Sequence, residues 1–167
     1  LRGFRASLNG KGHAASGGQG GAADVEVVFP TVMEIGGETL PESQVELTAS
    51  HTWDIGGDLI DSYLTFFWDY DDPEQEGEEQ SVRIALGVPS VMNMTYEYPG
   101  SYLEWGLATW NPYGDITTST QLTAVRAVLA LHHEDGMLSG TAEFELTSAE
   151  DRPGTVFVQG PFETPAP

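Results

Sequence analysis

The sequence predicts an all-β protein, built as a sandwich or a barrel of many short strands. Several segments alternate apolar and polar residues, which is the pattern of a strand with one buried face. Turn-forming residues such as Gly56-Gly57, Pro99-Gly100 and Gly136 separate these segments. No segment has the apolar period of an amphipathic helix of ordinary length. The 167 residues, 40% of them hydrophobic, suffice for one domain with a core.

Residues 1–23 form a Gly-rich arm whose charge is opposite to that of the remaining chain. The arm holds three of the six basic residues and no acidic residue. Because the whole chain has a net charge of −20, the remainder carries a formal charge of −23. This composition is typical of a flexible tail or linker, but a basic arm on an acidic body also favours contact between molecules. The candidate contact residues, basic or apolar, are Arg2, Phe4, Arg5, Leu8 and Lys11.

The body, residues 24–160, is expected to contain the strands. Alternation indicates strands at 25–29, which Pro30 interrupts, at 45–50 and at 63–70. Beyond the body, the Pro-rich segment 161–167 is expected to be a tail. In the third strand, the predicted inner face consists of Leu64, Phe66, Trp68 and Tyr70.

The clearest local prediction is a hairpin over residues 125–147, which turns at Asp135-Gly136. Asp-Gly is typical of a two-residue hairpin turn, and it would pair Glu134 with Met137. That register brings apolar residues to one face and opposite charges to the other, as a stable pairing requires. The predicted pairs are Val125 with Leu146, Ala127 with Phe144, Leu129 with Ala142, Arg126 with Glu145, and Val128 with Glu143.

A run of motifs between residues 45 and 125 follows the order and spacing of a known family. The motifs are VELTAS, DIGGDLIDSY and FFWDYDD, then MTYEYPGSYLEWGLATWNPYGD and TTSTQLTAV. This run resembles the PKD domain, an immunoglobulin-like β-sandwich common in surface and extracellular proteins. Residues 70–73, Tyr-Asp-Asp-Pro, replace the Gly-Asp-Gly turn of the family, and an acidic insertion follows them. The most specific residues of the resemblance are Trp68, Asp69, Tyr96, Pro99, Gly100 and Tyr102.

The resemblance implies an immunoglobulin-like antiparallel β-sandwich with extra N-terminal strands at 24–44 and the C-terminal hairpin. These additions either pack onto the sandwich or pair with a neighbouring subunit. Trp68 and Tyr102 are expected to fill the core, and the resemblance implies that Asp69 braces a turn. Pro99-Gly100 suits a tight turn with a positive φ at Gly100.

A dense set of carboxylates around residue 70 raises the question of a metal site. Oxygen ligands at close spacing suit Ca²⁺, although the set does not match an EF-hand loop. The alternative is a solvated acidic loop, since the like charges of EQEGEEQ repel one another. The candidate ligands, two of them expected to approach from a preceding loop at the same end of the sandwich, are Asp58, Asp61, Asp71, Asp72 and Glu74.

No catalytic residue and no cofactor other than this candidate Ca²⁺ is expected. Nucleophile and phosphate-binding motifs are missing from the sequence. The adjacent histidines at 132 and 133 would point to opposite faces of the predicted hairpin, which prevents shared metal binding. Phe67, Trp110 and Tyr113 are alternatively candidates for a sugar-stacking platform.

The sequence therefore favours a non-enzymatic structural subunit of a surface assembly, such as a virion decoration or capsid-associated protein or an extracellular filament subunit. The expected partners are further copies or a shell protein, at a virion surface or outside the cell. The acidic body excludes nucleic acid, and no apolar run is long enough to span a membrane. The chain opens with Leu1, so we expect an upstream segment to have been removed. The alternative is a secreted PKD-like module that binds glycans or divalent cations beside a larger surface protein.

Overall fold

The computed structural model describes residues 29–54, 61–71, 80–88, 93–100, 104–112 and 118–166. Within these ranges the chain forms ten β-strands and one short 3-10 helix, and these ranges contain no α-helix. The strands are β1 Val32–Ile35, β2 Glu38–Thr39, β3 Val45–Asp54, β4 Asp61–Tyr70, β5 Gln80–Val88, β6 Met94–Tyr98, β7 Glu104–Asn111, β8 Thr120–Glu134, β9 Met137–Ser148 and β10 Thr155–Pro165; the 3-10 helix is Glu42–Gln44.

The strands form one antiparallel sheet that folds over into two packed layers. The order is β2-β1-β10-β9-β8-β7-β5-β4-β3, and β6 pairs with β8. We call β3, β4, β5 and β7 the first layer, and the other strands the second layer. Strands that are far apart in this order meet face to face, since β3 packs against β10. The predicted all-β, immunoglobulin-like sandwich is thus confirmed as the fold class.

Aromatic side chains fill the space between the two layers. Phe66 of β4 lies with its ring centroid 5.7 Å from that of Phe144 on β9 and 5.0 Å from that of Phe162 on β10. Trp68 lies 5.7 Å from Phe144 with the rings at 82°, the edge-to-face geometry that aromatic pairs prefer. The predicted inner face of β4 is confirmed, because Leu64, Phe66 and Trp68 are fully buried and Tyr70 nearly so.

The hairpin of β8 and β9 turns as predicted. Asp135 and Gly136 have φ values of 51° and 75°, the positive values that a type I′ turn requires at both central positions. Glu134 pairs with Met137, and the pairs Leu129 with Ala142, Ala127 with Phe144, Val128 with Glu143 and Arg126 with Glu145 all form. The hairpin was expected either to pack onto the sandwich or to pair with a neighbouring subunit. In the structure it packs within its own chain, and β8 and β9 are part of the second layer.

The predicted pair of Val125 with Leu146 is wrong, because a β-bulge intervenes. The register shifts between Ala124 and Arg126, so Ala124 takes the place opposite Leu146 and Val125 is 53% exposed. On the N-terminal side of the bulge β8 pairs with β7, and on the C-terminal side it pairs with β6. Bulges bend strands and allow one strand to pass from one layer of a sandwich to the other. The bulge therefore lies where β8 forms the corner between the layers.

The C-terminal boundary of the body also differs from the prediction. Residues 161–165, expected as part of a tail, belong to β10, which pairs with β9 from Thr155 to Pro165. Phe162 and Thr164 are buried. The prolines are tolerated here because, in the described part of the chain, this half of β10 has β9 on one side and no strand on the other.

The N-terminal strands β1 and β2 extend the second layer beyond β10. β1 pairs with β10 through Val32 to Ile35, and β2 pairs with β1. Met33 is fully buried, which anchors β1 to the core. The strand predicted at 25–29 lies almost entirely outside the described residues.

The turn at Pro99-Gly100 forms, but without the positive φ that was predicted for Gly100. Gly100 is not among the glycines with positive φ, and the peptide bond between Tyr98 and Pro99 is cis. Glycine is needed for space instead, because a Cβ at residue 100 would lie 2.5 Å from the carbonyl oxygen of Glu97.

Candidate functional site

The outer face of the first layer carries an aromatic and apolar group around one arginine. The guanidinium carbon of Arg83 on β5 lies 5.6 Å from the ring centroid of Phe67 on β4, within range of a cation–π contact. On the same face, Tyr63 is 37% exposed and Leu107 on β7 is 40% exposed. Such a face can hold a flat or apolar group of a ligand or of a partner.

The predicted sugar-stacking platform is wrong for two of its residues, which lie on opposite faces of the first layer. Phe67 pairs with Arg83 on the outer face, whereas Trp110 pairs with the fully buried Val82. The indole N–H of Trp110 donates to the hydroxyl of Tyr70 at 2.7 Å, which holds the ring inward. Tyr113, the third residue of the platform, lies outside the described residues.

The outer face of the second layer is acidic. Arg126 forms ion pairs with Glu143 and, at 3.7 Å, with Glu145. Glu34 and Glu97 belong to the same face. Glu34 lies in one cross-strand row with Glu145, two strands away, and Glu97 lies in one cross-strand row with Glu143, also two strands away. Within this group one arginine faces four glutamates, so the face keeps a net negative charge that suits a basic partner.

The structure separates two of the predicted metal ligands. Asp61 begins β4 and Asp71 follows its last residue, so ten steps of extended chain, about 33 Å at 3.3 Å per step, separate them. The prediction that they meet at one end of the sandwich is therefore wrong. The exposed Asp71 is held by its backbone, whose N–H donates to the carbonyl of Gln44 at 3.3 Å. Asp58, Asp72 and Glu74 lie outside the described residues.

The described ranges contain no group of three or more histidine, cysteine, aspartate or glutamate side chains placed to hold a metal ion. A Ca²⁺ site in the acidic loop therefore remains a prediction for residues that the structure does not describe.

Of the six residues that most specifically carry the family resemblance, five lie in the described ranges; Pro99 and Gly100 form the turn described above, and Tyr96 is buried on β6. Trp68 is fully buried, as predicted, and its indole N–H donates to the carbonyl of Gln159. Asp69 lies half-buried on the outer face of β4, between Glu46 and Ser81 of the flanking strands. The turn-bracing role of Asp69 remains a prediction, and Tyr102 lies outside the described residues.

The histidines form a pair that the sequence did not indicate. His132 and His133 point to opposite sides of β8 as expected, and Nε2 of His132 lies 3.1 Å from a carboxylate oxygen of Glu134. His51 on β3 is buried opposite Leu64, and its pKa is lowered first by that burial and then by the nearby His133. His51 and His133 come from different layers, so only the tertiary fold brings these two side chains close together.

The arm residues Arg2, Phe4, Arg5, Leu8 and Lys11 all lie outside the described residues. Among the described segments, no helix is long and apolar enough to cross a membrane.

Comparison with known proteins adds no relative. No protein-family model, no curated protein and no solved structure matches the chain.

Proposed function

We propose that this protein is a non-enzymatic structural subunit of a surface assembly, attached to its neighbours through the arm at residues 1–23. The assembly is a virion shell that the subunit decorates or an extracellular filament. The observation that carries the proposal is the separation of charge between a basic arm and an acidic body. Opposite charges on two parts of one chain favour contacts between copies, or between the arm and an acidic shell.

The arrangement of charge on the body supports this proposal. Arg126 is held by Glu143 and Glu145, and Arg83 lies over Phe67, so these arginines are already engaged within the body. The acidic outer face of the second layer keeps glutamates that the body does not neutralise. An arm with three basic residues is suited to such a surface.

We further propose that residues 45–125 are related to PKD domains. The buried Trp68 and the turn at Pro99-Gly100 are compatible with this relation. In this chain, however, the aromatic partners of Phe66 on β9 and β10 lie beyond residue 125. The related segment therefore needs the rest of the chain to complete its core.

Deletion of residues 1–23 tests the arm. We expect the truncated protein to remain folded by circular dichroism and to sediment as a monomer under conditions in which the full chain assembles. A matched control keeps the length of the arm and replaces Arg2, Arg5 and Lys11 by Gln, which should weaken assembly without abolishing the apolar contacts. Unchanged assembly after deletion would contradict the proposal.

One observation favours the alternative function of a secreted binding module. Tyr63, Phe67 and Arg83 share the outer face of the first layer, and exposed aromatics can stack on sugar rings. A glycan array with the native chain and with Tyr63→Ala tests this function. For cations, a rise in Tm with added Ca²⁺ that is lost in Asp71→Asn/Asp72→Asn would support it.

A further inference from the structure

The outer edge of β3 is a long strand edge with nothing paired to it in the described part of the chain. β3 ends the strand order of the sheet and pairs only with β4, over ten consecutive residue pairs. Along residues 46–50, the N–H and C=O groups on its other side are therefore available to another strand. Such an edge can template pairing with a further chain.

β3 has few of the features that usually protect an edge. It contains no proline and no lysine, and its pairing with β4 has no bulge. Of its exposed outward residues, Glu46 is charged, whereas Thr48, Ser50 and Thr52 are small and uncharged. Short or charged edges prevent unwanted pairing, so an edge of this kind is suited to a specific partner strand.

The inner side of β3 is also incompletely covered. Val45, Leu47 and Ala49 pack against the core but remain half-buried, whereas Leu64, Phe66 and Trp68 on the neighbouring β4 are fully buried. A further strand with apolar residues on its inner side would complete the burial of this row.

The arm contains a segment that fits this edge. In residues 4–8, FRASL, the apolar Phe4, Ala6 and Leu8 alternate with Arg5 and Ser7, the period of a strand with one apolar face. The segment is basic, and the charged residue of the edge segment 45–50 is the exposed Glu46. Residues 9–28 separate the segment from the described body and can span up to about 65–70 Å, which is enough to reach another molecule.

We propose that residues 4–8 of one copy add as a strand to the free edge of β3 in a second copy. Phe4, Ala6 and Leu8 extend the half-buried inner row, and Arg5 lies on the outer side with Glu46. Backbone hydrogen bonds supply affinity, and the alternating side chains supply register, as in other cases of strand addition. The inference rests on the proposed function, in which the arm binds a neighbouring copy.

A charge reversal on the edge tests the site. We expect Glu46→Lys/Thr48→Lys to raise the Kd of self-association by about tenfold or more, because it sets like charges beside the arm. Ala149→Lys/Glu150→Lys is the matched control, since it makes the same change in charge at two exposed positions outside β3 and outside the acidic outer face of the second layer. Both pairs are exposed, so both variants should keep the Tm of the native chain.

A mixing experiment tests whether the arm passes between copies. Glu46→Lys/Thr48→Lys keeps an intact arm, and the chain lacking residues 1–23 keeps an intact edge. Each should be monomeric alone, and a mixture should contain 1:1 heterodimers by analytical ultracentrifugation. A mixture that remains monomeric would overturn the inference.

The two proposals fail in different ways. If deletion of the arm leaves assembly unchanged, the proposed function itself fails. If deletion abolishes assembly but Glu46→Lys/Thr48→Lys assembles like the Ala149→Lys/Glu150→Lys control, the arm binds elsewhere and only the assignment of the β3 edge is overturned.

Discussion

The indole N–H of Trp68 donates a hydrogen bond to the backbone carbonyl of Gln159, at 3.3 Å, and so connects β4 of the first layer with β10 of the second. Gln159 also pairs with Val32 of β1 and with Glu143 of β9. The hydrogen bond thus connects β4 to a residue at which β10 is flanked on both sides by strands of the second layer. Because the contact bridges the layers, its loss affects their packing as well as one hydrogen bond.

We expect Trp68→Phe to lower the free energy of unfolding by about 2–4 kcal/mol, since it removes a part-buried hydrogen bond and leaves a cavity in the core. Urea denaturation followed by circular dichroism measures the change. Tyr63→Phe, at an exposed position on the same strand, is the control and should change stability by less than about 0.5 kcal/mol. A loss of less than about 1 kcal/mol for Trp68→Phe would show that the contact between the layers contributes little.

The bulge at Val125 predicts a contrast between two apolar residues of β8. Val125→Thr should change the free energy of unfolding by no more than about 0.5 kcal/mol, because its side chain is largely exposed. Leu129→Ala should cost about 2–5 kcal/mol, because Leu129 is fully buried. Thermal denaturation of both variants checks the register. A large loss for Val125→Thr would place that residue on the inner face and argue against the bulge.

The lowered pKa of His51 predicts a loss of stability on acidification. The unfolded chain binds a proton near the ordinary pKa of 6.5, whereas the folded chain binds it only at lower pH. Unfolding therefore takes up a proton in that window, and stability falls as the pH drops from above 6.5 through the folded-state pKa. The nearby His133 adds to the effect.

Urea denaturation between pH 7.5 and pH 5 measures this dependence, and His51→Gln should flatten it. His132→Gln is the control, because His132 is exposed on the outer side of β8. The same pH dependence in His51→Gln and in the native chain would assign the proton uptake to another group.

The ion pairs of Arg126 predict a dependence on salt. Arg126→Gln removes the positive charge between Glu143 and Glu145, and the repulsion between those carboxylates should then lower the Tm slightly at low ionic strength. The side chain of Arg126 is half-exposed, so we expect a loss of less than about 1 kcal/mol. In about 1 M salt the screening length falls to about 3 Å, and the difference should disappear. A loss that persists in salt would indicate packing by the arginine stem instead.

The sequence by itself determined the features that depend on neighbouring residues. Alternation with a period of two was enough to predict the inner face of β4. Asp135-Gly136 was enough to place the turn of the hairpin and most of its register, because a two-residue turn specifies which residues pair.

Only the tertiary structure decided the features that depend on strands distant in the sequence. Val125 leaves the inner face because β8 exchanges β7 for β6 as its partner, and no local pattern records that exchange. Phe67 and Trp110 face opposite ways, and His51 meets His133, because pairing and layer packing orient residues far apart in the chain. The open edge of β3 is a property of the whole strand order. Periodicity and turn chemistry act over a few residues, whereas register between distant strands, and hence the surfaces available to partners, depends on how the complete sheet closes over its core.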